Sequence, residues 1–269
     1  MLKNLTLGQY FPGNSFLHRM DPRMKLILTF ALILIVFLSQ GFIGFGLILL
    51  FILTVSLLSG IKLKFLVRGL KPILFIVIFT FILNVFFQAG QHVLFAWKFI
   101  KITEEGLRTA FFLAARLVLL VVCTQLLTLT TSPIALTDGL ESLFKPLTKV
   151  HFPAHEIAMM MSIALRFIPT LMDEANKIMR AQMARGADFE SGNLIRRARA
   201  RVPLLVPLFV GAFRRAEDLA LAMEARGYHG GEGRTRMRQL KYTWRDGAAA
   251  CAVALLLAAV LVLNRFGAF

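Results

Sequence analysis

The chain of 269 residues is 57% hydrophobic and 17% charged, whereas a soluble domain holds about 45–50% apolar residues, which excludes a mainly soluble globular protein. Its 31 Lys and Arg against 15 Asp and Glu leave a formal charge of +16, and in a lipid-embedded chain that excess first sets orientation, with no nucleic-acid partner required. Cys123 and Cys251 both lie in apolar runs, where a thiol acts as a small hydrophobe, so no disulfide framework is implied.

Residues Met1 to Arg23 are polar and mixed. The first apolar run, Met24 to Ser39, lacks the small-x-small pattern of a cleaved leader and is expected to stay as a span. Asp21-Pro22-Arg23 in front of it offers a capping carboxylate and then a proline at the first helical position, where its missing N–H costs nothing. A second run, Phe42 to Ser59, follows Gln40-Gly41. Both runs lie near the ~17-residue lower limit for spanning, and together they are read as a tight helical hairpin. Pro72 to Gln88 forms the third run, Leu107 to Thr131 the fourth, with Arg116 in its interior, and Gly247 to Leu263 the fifth. With the N-terminus inside, Arg19, Arg23, Lys25, Lys62, Lys64, Arg68 and Lys71 all lie on the cytoplasmic side. Lys98 and Lys101 outside are offset by Glu104 and Glu105, as the positive-inside rule asks. The expected fold is an all-α polytopic membrane protein with about five transmembrane helices. Residues 1–131 form four spans, 132–245 a cytoplasmic segment of long helices, and 246–269 the final span.

Two pieces of the cytoplasmic segment are apolar, Ile157 to Leu171 and Val202 to Phe213, but each is too short to cross alone and runs on into charge. In the first, Ile157, Met160, Met161, Ala164, Phe167, Ile168 and Leu171 recur at spacings of three and four and share a helical face. Asp173, Glu174, Lys177, Arg180 and Arg185 carry the same helix out of the lipid. Both helices finish alike, at Ala184-Arg185-Gly186 and at Ala225-Arg226-Gly227. Glycine after the last turn accepts the left-handed conformation that stops a helix, and arginine there complements the negative end of the dipole. Capping accounts for one copy. The repeated alanine has no capping role, so two copies point to a shared partner surface, and an arginine fork at a helix tip suits an acidic groove. Met159, Met160, Met161, Met172, Met179, Met183 and Met223 add adaptable thioethers to this segment. Arg196 through Arg201 and Arg234, Arg236, Arg238 and Lys241 are assigned to lipid headgroups and orientation.

No G-x-x-x-x-G-K-[ST] loop is present, so the chain cannot power itself with ATP. The five runs hold no carboxylate or histidine of the kind that couples ion gradients. His151 and His155 flank Pro153 and lack a third ligand, so neither a metal site nor a cofactor is expected. A self-sufficient channel and a membrane scaffold remain as rivals to a docking subunit.

The two Ala-Arg-Gly helix ends resemble those of the transmembrane T component of energy-coupling-factor transporters, the vitamin and trace-metal importers of prokaryotes. Gly8 to Lys25, Ala164-Leu165-Arg166-Phe167-Ile168-Pro169, and Arg214-Arg215-Ala216-Glu217-Asp218 through Tyr228 are similar to the family's stretches in the same order. The resemblance implies a non-catalytic coupling subunit in the cell membrane, with two ATP-binding-cassette ATPases and a membrane-embedded, substrate-binding S component as partners. It makes Arg185 and Arg226 the ATPase anchors, with Ala184 and Ala225 allowing close approach and Gly186 and Gly227 ending the coupling helices. The face Ile157, Met160, Met161, Ala164, Phe167, Ile168 and Leu171, with Val202 to Phe213, becomes the expected contact for the S component. The substrate, and service to one S component or several, stay open.

Overall fold

The structure, a computed structural model, describes residues 10–88, 92–97, 100–150, 152–189, 193–230 and 240–266. Its helices are α1 (Pro22–Leu38), α2 (Phe42–Ser59), α3 (Leu63–Phe87), α4 (Glu104–Thr130), α5 (Pro133–Phe144), α6 (Ala154–Ala184), α7 (Leu194–Ala225) and α8 (Trp244–Arg265). Among the described residues four helices, α2, α3, α4 and α8, are long and apolar enough to cross a bilayer. With 17 residues, α1 stands at the short end of the spanning range of about 17–25. The protein is an all-α polytopic membrane protein with one small addition. Between α3 and α4, where only a loop was expected, β1 (Val93–Trp97) and β2 (Ile100–Thr103) pair antiparallel, Val93 opposite Thr103 and Trp97 opposite Ile100. The stretch is rich in β-branched and aromatic residues, which favour a pleated backbone.

The chain forms two compact units, one within Gly8–Gly139 and Leu240–Phe269, the other within Leu140–Gln239. In the first, α1 and α2 each pack against α4 and α8 more than against one another. The tight hairpin expected of them is therefore opened, because the extended residues Ser39 and Gly41 turn the chain without laying the helices side by side. Ile35, Val36, Ile48, Ile52, Leu119, Cys123, Leu126, Val253, Leu256 and Val260 form the core. α3 begins nine residues before the expected Pro72. Leu63, Leu66, Val67 and Leu70 recur at helical spacing there, and Leu66 is buried despite Lys64, Arg68 and Lys71 beside it.

Lipid is as apolar as leucine, so packing and polar contacts, rather than the hydrophobic effect, hold such helices together. The polar contacts here gather at helix ends, where four backbone groups lack partners inside the helix. At the start of α1, the Asp21 carboxylate accepts from the Arg23 N–H at 2.9 Å, the cap expected of Asp21-Pro22. The backbone N–H of Asp21 in turn donates to Asp246 Oδ1 at 2.9 Å. Asp246 also accepts from the N–H and hydroxyl of Thr243, at 2.7 and 2.8 Å, and so caps α8 as well. Its carboxylate is buried in the first turn of the helix, which starts three residues before the expected Gly247. Lys25 Nζ donates to the carbonyl of Thr130 at 3.0 Å and to Thr131 Oγ1 at 3.3 Å, placing a cation at the negative end of α4. At the far end of α1, Asn264 Nδ2 donates to the carbonyl of Leu38 at 2.7 Å and Arg116 Nη2 to that of Ser39 at 3.2 Å. Arg116, half-buried in the expected fourth span, thus serves a helix end, with the rings of Phe37 and Phe45 near its guanidinium.

The second unit carries α6 and α7. A 3-10 turn, Lys145–Val150, leads toward α6, which starts directly after Pro153. The rings of Phe144 and Phe152 meet edge to face at 5.8 Å. His155 Nδ1 lies 2.9 Å from Glu141 Oε1, so this histidine is engaged by a carboxylate on α5. His151 lies outside the described residues.

Candidate functional site

The ends of α6 and α7 are built from the same local bonds. In α6, Arg185 is the last residue near helical dihedrals, at φ −86° and ψ 6°. Gly186 follows at φ +86° and turns the backbone left-handed. Its N–H donates to the carbonyl of Met183 and that of Ala187 to Gln182, both at 3.0 Å. In α7, Arg226 stands at φ −93° and ψ 11°, and Gly227 at φ +71°. The N–H of Gly227 donates to Glu224 at 2.9 Å and that of Tyr228 to Met223 at 3.0 Å. These paired bonds close the orphan carbonyls that a helix end leaves. A Cβ placed on Gly186 or Gly227 would meet nothing within 4 Å, so the positive φ alone calls for glycine.

All six residues predicted for this role, Ala184, Arg185, Gly186, Ala225, Arg226 and Gly227, are exposed. Neither arginine's guanidinium has a hydrogen-bond or ion-pair partner among the described residues. Arginine next to a methyl-sized side chain, at a tip with no bulk around it, presents five N–H donors in a planar fork. Chemically the tips suit two acidic or carbonyl-lined clefts.

Three turns higher, the helices meet. Glu174 of α6 forms an ion pair with Arg215 of α7, Oε2 to Nη2 at 2.5 Å. The carboxylate lies against Gly211, where a Cβ would stand 3.0 Å from Glu174 Oε1. This contact was not anticipated, although both residues were visible as charges at the edge of the apolar stretches.

The face expected to meet a membrane partner lies on α6. Met160 and Met161 are 58% and 42% exposed, Ala164 is exposed, and Ile157, Phe167, Ile168 and Leu171 are half-buried. On α7, Val202, Leu205, Val206, Phe209, Val210 and Phe213 are all exposed. Arg196 through Arg201 belong to the first turns of α7, but the side chains of residues 196–200 and the whole of Arg234, Arg236 and Arg238 lie outside the described residues. Lys241 is exposed.

A family model described as cobalt transport protein matches residues 13–237. The energy-coupling factor transporter transmembrane protein EcfT of Thermosediminibacter oceani is 56% identical over 265 residues, covering 98% of this chain and 99% of its own. The protein of the same name from Clostridium kluyveri is 53% identical over 266 residues, 98% of either chain. That of Bacillus subtilis is 51% identical over 265 residues, 98% of this chain and 100% of its own. With half of all residues shared over nearly the full length of both sequences, the chain belongs to the family of energy-coupling factor transporter transmembrane components.

Proposed function

We propose that the chain is the non-catalytic coupling subunit of an importer, standing between two ATP-binding-cassette ATPases and a substrate-binding S component in the membrane. Arg185 and Arg226 each enter a groove of one ATPase, Ala184 and Ala225 let the helix tips approach closely, and Gly186 and Gly227 hold the arginines at the helix ends. The observation that carries this reading is the duplicated cap: α6 and α7 end in the same bonds, with the same arginine exposed and its guanidinium unpartnered among the described residues. A cap needed only for helix termination has no reason to repeat the alanine beside that arginine.

ATP-driven closure of the ATPase pair moves the tips, and α6 and α7 carry that motion to the S component. The exposed thioethers of Met160 and Met161 and the exposed apolar side chains of α7 support a contact there, since such side chains adapt to more than one partner. The N-terminus lies on the cytoplasmic side, in keeping with Arg19, Arg23, Lys62, Lys64, Arg68 and Lys71. The vitamin or trace metal is chosen by the S component.

Co-purification of the tagged chain with candidate ATPases of the same genome, wild type against the Arg185→Glu, Arg226→Glu pair, tests the docking. The expected result is retention by wild type and loss by the double variant, with equal membrane insertion. Equal retention by both moves the interface away from the tips.

A further inference from the structure

The geometry points to the Glu174–Arg215 pair as the pivot that sets the spacing of the two arginine tips. Glu174 precedes Arg185 by 11 residues, and Arg215 precedes Arg226 by the same 11. Eleven residues are about three helical turns and ~16 Å, so each tip lies on nearly the same helix face as its own member of the pair, at the end of an arm of equal length.

The two arms are register-matched along their length and opposite in charge at the crossing. Asp173-Glu174-x-x-Lys177 on α6 stands where α7 has Arg214-Arg215-x-x-Asp218. Ala175, Ala181, Ala184, Arg185 and Gly186 correspond to Ala216, Ala222, Ala225, Arg226 and Gly227 at the same offset. Opposite charges at matched positions attract only in one register. A slip of either helix by a turn would bring Glu174 away from Arg215 and shift one tip against the other by about 5 Å. Gly211, one turn before Arg215, leaves the room in which the carboxylate sits. Among the described residues this is the one ion pair between α6 and α7.

The side chains of Arg215 and Glu174 are 32% and 26% exposed, and a pair so accessible to solvent adds little to stability. Its role is register and angle. Glu174 and Arg215 are therefore positioning residues, acting through the tips. The inference rests on the docking of both tips to ATPases.

The test uses the full chain in lipid nanodiscs, with Cys251→Ser and spin labels on Ala181→Cys and Ala222→Cys, which are exposed and occupy matched places on the two arms. The variants are Glu174→Arg, Arg215→Glu, the exchange of both, and the gentler Glu174→Gln. Each reversal is expected to broaden the distance between labels and to lower ATP-driven uptake by the reconstituted complex about tenfold. The exchange restores both, and Glu174→Gln falls between. Unchanged distances in the reversals overturn the pivot, as does an exchange that restores neither distance nor uptake. If a reversal fails to fold, the exchange and Glu174→Gln still decide. Distances are read without ATPase, so tips that respond in a chain that retains no ATPase support the pivot and overturn the docking. Tips that stay fixed in a chain that does retain ATPase do the reverse.

Discussion

Gly186 and Gly227 separate two reasons for glycine, room and conformation, because each stands in open space at positive φ. Replacement by Asn, which tolerates the left-handed region, is expected to keep the caps, whereas Val should cost about 1–2 kcal/mol at each tip and fray the last turn. Isothermal titration of ATPase binding checks this: Asn variants should match wild type and Val variants should lose affinity although both arginines remain. If Val variants bind like wild type, the arginines do not depend on the caps. The helix ends at Arg185-Gly186 and Arg226-Gly227 were legible from the sequence because helix termination is local and its residues are adjacent. Asp246 shows the opposite case. Thr243-x-x-Asp246 is a readable capping box, but its second partner, the N–H of Asp21, lies 225 residues away in the chain, and no local pattern carries that information.

At the scale of elements, α1 is held at both ends by neighbours. Asp246 takes the N–H that opens it, while Asn264 and Arg116 take the carbonyls that close it. Asp246→Ala would leave the buried Asp21 N–H without an acceptor and strip the exposed Thr243 N–H of its cap partner, a loss of about 3 kcal/mol from an orphaned bond and a lost cap. Asp246→Asn keeps one acceptor oxygen and should lose about half of that. Thermal unfolding in detergent, followed by circular dichroism, should rank the Tm values as wild type, Asn, Ala; an Ala variant as stable as wild type would remove the clamp. The spans were legible since apolar runs of that length have few other uses. The extent of α3 was not, because Lys64, Arg68 and Lys71 read as a loop until Leu66 is seen buried. The hairpin of β1 and β2 went unread for a related reason: its apolar residues were too few for a span and sat between charged ones. The meeting of Glu174 with Arg215 needed the crossing of two helices, although the inverted charges at equal offset were already in the sequence.

For the whole molecule, helices of unequal length share one bundle. α1 has 17 residues and α4 has 27, about 25 and 40 Å at helical rise, against ~30 Å of hydrocarbon. Lys25 is buried near the start of α1, and Arg116 meets its other end from well inside α4. The apolar stretch between those two cations is shorter than a bilayer is thick. Lipid beside α1 must therefore thin, and mismatch of this kind costs fractions of a kcal/mol per ångström. Uptake by proteoliposomes should accordingly fall as the acyl chains of the host lipid lengthen, while a chain-length series with constant rates would show that the bundle absorbs the difference internally. The short helix thus makes membrane thickness itself a variable of the transporter: a dimple of compressed lipid at α1 is a soft spot, where a neighbouring membrane protein of similarly short span would relieve elastic strain simply by standing there.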